Sequence, residues 1–211
     1  MSGLNFVSKV IERVISLQIN RHLFANDLNN VHQSAYKTGH STETALLKIK
    51  SDIHLSLSKN MPVALVLLDL SAAFDTLDHE QLLNRLSKTF GLKDVVLNWF
   101  SSYLSNRSQS VKVHSTLSDA KTLPFGVPQG SVLGPLLFTL FTSPISTIIS
   151  KFPNINYHLY ADDTQIYISL TPSNITTAVP VLQNCLIEIQ AWMNDNRLQA
   201  RQVTWQPFVA N

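Results

Sequence analysis

Two adjacent aspartates, Asp162 and Asp163, interrupt the otherwise apolar and aromatic stretch LYADDTQIYI at residues 159–168. Adjacent carboxylates repel each other and resist burial, so this segment requires either a solvated turn or a bound cation. A third carboxylate, Asp69, lies at the end of the apolar run PVALVLLDL and has no basic neighbour in the sequence. If the strand that ends at Asp69 pairs with the acidic hairpin, three carboxylates meet with nothing local to neutralise them.

Clustered carboxylates either raise their pKa values or bind a divalent cation. Their hard oxygen atoms favour Mg²⁺ or Mn²⁺ over zinc. Two such ions about 4 Å apart are the usual means of phosphoryl transfer along nucleic-acid chains. For any single aspartate, a role in a turn or at a strand end is the more frequent explanation of this spacing. The acids alone therefore leave a metal site and a solvated turn as open alternatives.

The apolar patterns predict an α+β domain with an antiparallel sheet. Helical spacing indicates helices over residues 7–24, 43–58 and 175–198. The continuous apolar run before Asp69 indicates a central strand that is buried on both faces. The remaining predictions are a cap at Ser41 or Thr42, two helices capped by Asp78 and Asp94, a hairpin of QSVKVHS and AKTLPF, a helix over 131–149 capped by Ser131, and the hairpin over 156–170.

The composition is that of a folded chain with one sizeable core or two small lobes. Of its 211 residues, 45% are hydrophobic and 14% are charged, and the net charge of +2 does not by itself indicate a nucleic-acid binder. Cys185 is the only cysteine, which excludes an internal disulfide and a cysteine-based zinc site. Arg13 and Arg21 interrupt the apolar positions near the N-terminus, so no secretory signal is visible and an intracellular protein, nuclear or cytoplasmic, is expected.

An uncharged stretch between Lys121 and Lys151 is long enough to suggest a membrane span. Its prolines and polar side chains are unfavourable against lipid. We therefore predict a buried helix here and no membrane partner. The prolines in or beside the stretch are Pro124, Pro128, Pro135 and Pro144.

Four motifs of the sequence together resemble a known family. They are HQSAYKTGHSTETALL, VLLDLSAAFDTLDH, GVPQGSVLGPLLF and YADD, in that order. They are similar to the finger-region segment and the palm motifs of reverse transcriptases, and most of all to those of non-LTR (LINE-type) retrotransposons. The resemblance covers roughly residues 5 to 199, and four motifs in order are far more specific than one acidic dipeptide. It implies a right-hand polymerase, with fingers and a palm whose small antiparallel sheet packs on helices.

The resemblance implies that Asp69 and Asp162 are the principal metal ligands, with Asp163 beside them and the carbonyl of Leu70 in support. Two Mg²⁺ or Mn²⁺ ions would bind there. One would activate the 3′-hydroxyl of a DNA primer, and the other would bind a deoxynucleoside triphosphate and stabilise the departing pyrophosphate. The template would be RNA, and the sequence does not identify a protein partner.

The resemblance also implies a nucleotide-binding set. Phe74, five residues after Asp69, falls at the position where a flat ring excludes a ribose 2′-hydroxyl, although an aromatic residue packing a helix start is an alternative explanation. Gln129 and Gly130 match the loop that lines the nucleotide and template. Lys37 stands where the family usually has an arginine that holds the triphosphate. A lysine lacks the bidentate fork of arginine, so weaker nucleotide binding is expected.

The C-terminal sequence departs from the family pattern. Relatives usually continue with an Asn-x-x-Lys-Thr-like segment and a helical thumb, whereas here WMNDNRLQ leads into ARQVTWQPFVAN. We expect fingers and palm over residues 1–199, a divergent and unstructured tail over residues 200–211, and no thumb. Without a thumb the duplex is weakly held, so poor processive synthesis is expected.

Two functions remain open on the sequence. The first is RNA-directed DNA polymerase activity. The second is that of a truncated, inactive retroelement remnant that folds and binds nucleic acid. A metal-dependent nuclease would not explain GVPQGS or Phe74, and a membrane or purely structural protein is indicated by the uncharged stretch alone.

Overall fold

The computed structural model describes residues 5–71, 74–128 and 130–209, without the side chains of residues 71 and 199–202. The chain divides into two compact units, Met1–Leu28 with Ala72–Phe141 and Asn29–Ser71 with Thr142–Asn211. The elements are, in chain order, α1 (Phe6–Ala25), α2 (Thr42–Leu57), β1 (Val63–Ser71), α3 (His79–Lys88), α4 (Asp94–Leu104), β2 (Ser108–Gln109), β3 (Lys112–Val113), β4 (Thr116–Leu117), β5 (Lys121–Thr122), α5 (Gly134–Thr142), α6 (Pro144–Ile149), β6 (Ile155–Tyr160), β7 (Asp163–Ser169), α7 (Ile175–Asp195) and β8 (Gln199–Phe208).

A four-stranded sheet with the order β6–β7–β1–β8 forms the centre of the second unit. All three of its strand pairs are antiparallel. The strand β1 lies between β7 and β8, and its residues Val63 and Val66 are almost completely buried. The central buried strand predicted from the apolar run is therefore confirmed, and so is the predicted α+β class.

The core of the second unit joins α2 to this sheet. Ile49 and Ile53, one helical turn apart on α2, pack with Val63, Leu65 and Tyr167. Spacing of four residues places side chains on one face of a helix, and this face of α2 covers the sheet. The helix begins at the predicted cap, because the Thr44 N–H donates to the Ser41 hydroxyl and the Ser41 N–H donates to the Thr44 hydroxyl.

The first unit consists of α1, α3, α4 and α5 with a two-part hairpin, in which β2 pairs with β5 and β3 with β4. Its buried side chains include Leu82, Phe100 and Phe138. Asp78 caps α3 as predicted, since its carboxylate accepts the Gln81 N–H at 3.1 Å. The predicted cap of α4 is wrong: Lys93 occupies the capping position and Asp94 is the first residue of the helix.

The helix predicted over residues 131–149 is divided into two. The first part, α5, ends at Thr142, and Pro144 is the first residue of α6. Proline lacks an N–H and clashes with the preceding turn, so it starts a helix and cannot continue one. None of the helices in the described ranges is long and apolar enough to cross a membrane.

The C-terminal residues also differ from expectation. Residues 199–208, which were expected to be largely unstructured, form β8 along the edge of β1. Cross-strand hydrogen bonds with a buried neighbour stabilise a segment whose own sequence gives only a weak strand signal. The preceding helix α7 ends at Asp195, three residues before the predicted end.

Candidate active site

The predicted acidic turn is a two-residue turn between β6 and β7. Tyr160 pairs with Asp163, which leaves Ala161 and Asp162 at the tip. Ala161 has a φ of 55°, in the left-handed region. Two-residue hairpin turns require such a φ at the first central residue, and an L-residue with a Cβ atom is less stable there than glycine by about 1 kcal/mol. The turn that carries Asp162 is therefore locally strained.

The strand β1 brings Asp69 to the same end of the sheet. Asp69 lies directly opposite Asp163 in the β1–β7 ladder. Directly opposed residues of an antiparallel pair have their side chains on one face, with Cβ atoms about 5 Å apart. The pKa of the Asp163 carboxyl is raised by burial and then by the charges of Asp162 and Asp69. The structure thus brings together the three aspartates that the sequence predicted to converge.

These carboxylates are a suitable donor set for a hard cation. Ion pairs among the described residues include Lys48 with Asp52 and Lys151 with Glu188, neither of which involves the three aspartates. Within the same ranges, no group of three or more His, Cys, Asp or Glu side chains is arranged to hold a metal by itself. Mg²⁺ is usually bound by one or two carboxylates, while water and substrate phosphates complete its octahedron. The donor chemistry therefore fits magnesium that shares its coordination shell with a substrate.

A β-bulge lies beside Asp69 on the other edge of β1. The β1–β8 ladder shifts its register between Asp69 and Leu70, so that Asp69 is opposite Gln202 and Leu70 is opposite Ala200. Bulges re-aim side chains and are frequent next to active sites. The Leu70 side chain is buried, so a contribution of Leu70 to cation binding would come from its backbone carbonyl. That role stays a prediction.

Two residues of the finger-region segment have defined surroundings in the second unit. The Lys37 ammonium donates to the Asn30 carbonyl at 2.6 Å, and burial lowers its pKa. The predicted triphosphate ligand is therefore bonded to a neutral oxygen. The pKa of the Tyr36 hydroxyl is raised by burial and then by the charge of Asp162. The proximity of Tyr36 to Asp162 was not predicted from the sequence.

The segment before them, residues 32–35, runs along β6. The Leu159 N–H donates to the His32 carbonyl at 2.8 Å, and the Ser34 N–H donates to the Leu159 carbonyl at 3.1 Å. The Gln33 side chain reaches the acidic turn, where Oε1 accepts the Ala161 N–H at 3.2 Å and Nε2 donates to the Ala161 carbonyl at 3.4 Å. This contact of Gln33 was not predicted from the sequence, although the residue lies within the finger-region motif.

Phe74 and the loop that begins at Gly126 are bonded to each other in the first unit. The Val127 N–H donates to the Phe74 carbonyl at 2.8 Å, and the Gly126 N–H donates to the Leu77 carbonyl at 2.7 Å. The half-buried Phe74 ring packs against the buried ring of Phe138, with the ring centroids 4.9 Å apart. Backbone hydrogen bonds thus connect two motifs that are distant in sequence.

A buried carboxylate holds the helix that follows this loop. Glu12 of α1 is only 1% exposed. It accepts the N–H groups of Val132 at 2.7 Å and Leu133 at 3.2 Å, and the Ser8 hydroxyl at 3.1 Å. Ser131, the predicted cap, lies three residues before the first residue of α5, and its hydroxyl accepts the Gly134 N–H at 2.9 Å. This role of Glu12 was not predicted from the sequence, because an acidic residue on an amphipathic helix is normally solvated.

Of the two loop residues predicted to line the nucleotide and template, Gly130 is exposed and has a φ of 78°. Glycine adopts this left-handed conformation without the steric cost of a Cβ atom. Gln129 lies outside the described residues. The binding role of both residues stays a prediction.

Comparison with known proteins identifies the family. The family model for reverse transcriptase (RNA-dependent DNA polymerase) matches residues 1–203, almost the whole chain. The chain belongs to the reverse transcriptase family. The resemblance of its four motifs to this family is thereby confirmed.

Relatives of this reverse transcriptase chain come from insect transposons. It is 30% identical over 202 residues to the probable RNA-directed DNA polymerase from transposon BS of Drosophila melanogaster. The aligned region covers 91% of this chain and 21% of that protein. It is 32% identical over 200 residues to the RNA-directed DNA polymerase from mobile element jockey of the same species, with coverage of 90% and 21%. The chain therefore spans about a fifth of the length of these curated relatives.

Solved structures show the fold of this reverse transcriptase. Apo telomerase from Candida tropicalis superimposes with a TM-score of 0.65 at 15% identity, over 95% of this chain and 40% of the telomerase chain. Telomerase of the same species in complex with a fragment of telomeric RNA gives the same TM-score and identity, over 96% and 34% of the two chains. The predicted right-hand polymerase fold, with fingers and a small antiparallel palm sheet packed on helices, is confirmed.

We predict that Gly126→Ala lowers the free energy of unfolding of this reverse transcriptase by about 2 kcal/mol or more. A Cβ atom at residue 126 would lie 2.8 Å from the Asp75 carbonyl oxygen and 2.9 Å from that of Phe74, and its φ of 83° is left-handed. Gly91→Ala is the matched control, because Gly91 also has a left-handed φ but has open space around it. Urea unfolding measures both variants, and equal losses would show that the close approach to residues 74–75 is unimportant.

We also predict that stability falls as the pH is lowered below about 6.5. Burial, and then the charge of Lys48, lower the pKa of His158 below its ordinary value of 6.5. In this pH range His158 binds a proton in the unfolded chain but not in the folded chain. Proton binding therefore stabilises the unfolded state, and the free energy of unfolding decreases as the pH falls from 6.5 towards the folded pKa. His158→Gln keeps a polar group for its partner Ser34 and should flatten the urea-unfolding profile between pH 7.5 and pH 5. A profile as steep as that of the unaltered chain would contradict this, and exposed His114→Gln is the control.

Proposed function

We propose that this reverse transcriptase chain catalyses RNA-directed DNA synthesis, in which deoxynucleotides are joined to a DNA primer on an RNA template. The observation that carries the proposal is the cross-strand pairing of Asp69 with Asp163 beside the turn that holds Asp162. The names of the curated relatives describe this activity for those proteins. The donor chemistry of the three aspartates is the kind that such synthesis requires.

In this proposal Asp69 and Asp162 are the principal ligands of two divalent ions, Mg²⁺ or Mn²⁺. When bound, such ions lower the pKa of an attacking hydroxyl and stabilise a departing pyrophosphate. The chain would position the ligands of these ions. The register of β1 and β7 sets the position of Asp69 relative to Asp163, and the two-residue turn sets that of Asp162. The raised pKa of Asp163 reflects like charges that a bound cation would neutralise.

Two residues are proposed to act on the nucleotide, Phe74 in selection of the sugar and Lys37 in binding of the phosphates. Packing against Phe138 restricts the motion of the Phe74 ring, and a restricted ring can exclude a ribose 2′-hydroxyl. Lys37 would exchange its hydrogen bond to the Asn30 carbonyl for one to a phosphate oxygen. Ammonium–phosphate attraction favours this exchange, although a lysine makes fewer simultaneous bonds than an arginine.

The proposed partners are an RNA template, a DNA primer and deoxynucleoside triphosphates. The complex of Candida tropicalis telomerase with a fragment of telomeric RNA supports RNA binding by this fold. The net charge of +2 gives little long-range attraction to phosphates. We therefore expect weak binding whose affinity depends only shallowly on the salt concentration, because few phosphate contacts release few counterions.

A catalytically inactive chain that binds nucleic acid is the second candidate. The observation that favours it is Lys37, which stands at the position usually taken by arginine and is bonded to Asn30. It would retain RNA binding without extending a primer.

A single-nucleotide addition assay distinguishes the two candidates. The 211-residue chain is mixed with a DNA primer annealed to an RNA template, one deoxynucleoside triphosphate, and Mg²⁺ or Mn²⁺. Polymerase activity yields a primer one nucleotide longer, and EDTA abolishes the product. A folded chain that binds the hybrid but gives no product with either metal would support the inactive candidate.

We predict that Phe74→Val raises the rate of ribonucleotide addition relative to deoxynucleotide addition by about tenfold or more. The smaller side chain leaves room for the 2′-hydroxyl. Single-nucleotide addition with matched deoxynucleoside and ribonucleoside triphosphates measures the ratio. Phe24→Val is the control, since Phe24 is 82% exposed on α1. An unchanged ratio in Phe74→Val would exclude Phe74 from sugar selection.

A further inference from the structure

Gln33 holds both backbone groups of Ala161, at the tip of the acidic turn. The side chain of Gln33 is buried, with 6% of the residue exposed. Oε1 accepts the N–H of Ala161 at 3.2 Å, and Nε2 donates to its carbonyl at 3.4 Å. Oε1 also accepts the N–H of Ala35 at 2.9 Å. One amide group thus bonds the turn and its own segment at the same time.

The backbone of the Gln33 segment is itself fixed against β6. Hydrogen bonds join it to Leu159 on both sides of Gln33, from the His32 carbonyl and from the Ser34 N–H. Gln33 and Leu159 form a parallel bridge. The Gln33 side chain therefore extends from a rigid position and has little freedom to move away from the turn.

Two features of the acidic turn are unfavourable, and the hydrogen bonds of Gln33 counteract them. Ala161 is in the left-handed region with a φ of 55°, which is unfavourable for a residue with a Cβ atom. Asp162 and Asp163 carry like charges next to Asp69, and their repulsion opposes the same geometry. Backbone strain persists where surrounding contacts over-determine it, and the paired hydrogen bonds of Gln33 are such contacts.

We propose that Gln33 is a positioning residue for metal binding, which fixes the turn so that Asp162 points to the same site as Asp69. This inference rests on the proposed function, because it assumes that the aspartates bind a divalent ion. Gln33 does not touch the ion. It acts through Ala161, the residue directly before Asp162.

Mn²⁺ binding to the 211-residue chain, followed by electron paramagnetic resonance, tests the proposal without any need for polymerase activity. Asp162→Asn first identifies the site, because it removes a ligand charge. Gln33→Ala should then weaken Mn²⁺ binding by about tenfold, the lower end of the effect of residues that orient metal ligands. Amide hydrogen exchange should also become faster at Ala161, since its N–H loses its acceptor.

Ser34→Ala is the matched control. Ser34 is buried in the same segment, and its hydroxyl contacts His158 at 2.8 Å but not the turn. The variant should lower stability while leaving Mn²⁺ affinity and exchange at Ala161 unchanged. Circular dichroism establishes that each variant is folded.

The outcomes separate the two proposals. Weaker Mn²⁺ binding and faster exchange in Gln33→Ala, with neither in Ser34→Ala, support the positioning role. Equal Mn²⁺ affinity in Gln33→Ala and the unaltered chain, or equal weakening in Ser34→Ala, overturns it and leaves the metal site intact. Absence of Asp162-dependent Mn²⁺ binding in the unaltered chain overturns the proposed function, and the role of Gln33 with it.

Discussion

Replacement of Asp162 by asparagine is expected to lower the rate of single-nucleotide addition about a thousandfold. An amide oxygen is uncharged and binds a hard divalent cation much more weakly than a carboxylate. Loss of roughly 4 kcal/mol of transition-state stabilisation corresponds to this factor, at about 1.4 kcal/mol for each tenfold change. The measurement is the initial rate of one-nucleotide extension on an RNA template at saturating Mg²⁺.

Asp119→Asn is the control for this prediction. It makes the same change of charge at an exposed position outside the sheet, and the rate should stay within about twofold of the unaltered chain because exposed charges are well screened. A rate for Asp162→Asn within tenfold of the unaltered chain would remove Asp162 from the catalytic set. The Asp69→Asn variant should resemble Asp162→Asn, because both carboxylates are proposed as principal ligands.

The second large effect is expected on stability. Glu12→Ala should lower the free energy of unfolding by about 3 kcal/mol, since hydrogen bonds to a charged group each contribute about 1.5–3 kcal/mol and are not fully additive. The Glu12 carboxylate accepts from two backbone N–H groups directly before α5 and from the Ser8 hydroxyl. Alanine leaves these donors without that partner and creates a void where the carboxylate was buried.

Urea unfolding gives this free energy by linear extrapolation. Glu12→Gln retains one acceptor oxygen, so its free energy of unfolding should lie between those of Glu12→Ala and the unaltered chain. Glu80→Ala is the control, because Glu80 is an exposed glutamate in the first turn of α3 and should cost far less. If Glu12→Ala is no more harmful than Glu80→Ala, the contacts of Glu12 with Val132 and Leu133 do not stabilise the fold.

Sequence patterns predicted the strand, helix caps and hairpin that depend on residues close together in the sequence. The apolar run before Asp69 indicated a central strand, and β1 is one. Ser41 and Asp78 were recognised as caps because a capping side chain bonds an N–H only a few residues away. The acidic hairpin was recognised for the same reason, since its two strands are separated by only two residues.

The secondary-structure predictions that proved wrong failed for both local and non-local reasons. Pro144 was counted as part of an apolar stretch, although its backbone chemistry ends one helix and begins another. Asp94 was treated as a cap because of its residue type, but it has a left-handed φ of 49° and Lys93 takes the capping position. The strand β8 was missed because its partner, β1, lies far away in the sequence.

The sequence by itself determined the family, through four motifs in order, and the identity of the three acids. It did not determine their register, since a shift of one residue would have turned Asp69 to the opposite face of the sheet. Only the tertiary structure placed Asp69 opposite Asp163. It also decided that Gln33 bonds the turn 128 residues further along the chain. Such contacts leave no periodic trace in a sequence, because they depend on how distant segments fold against each other.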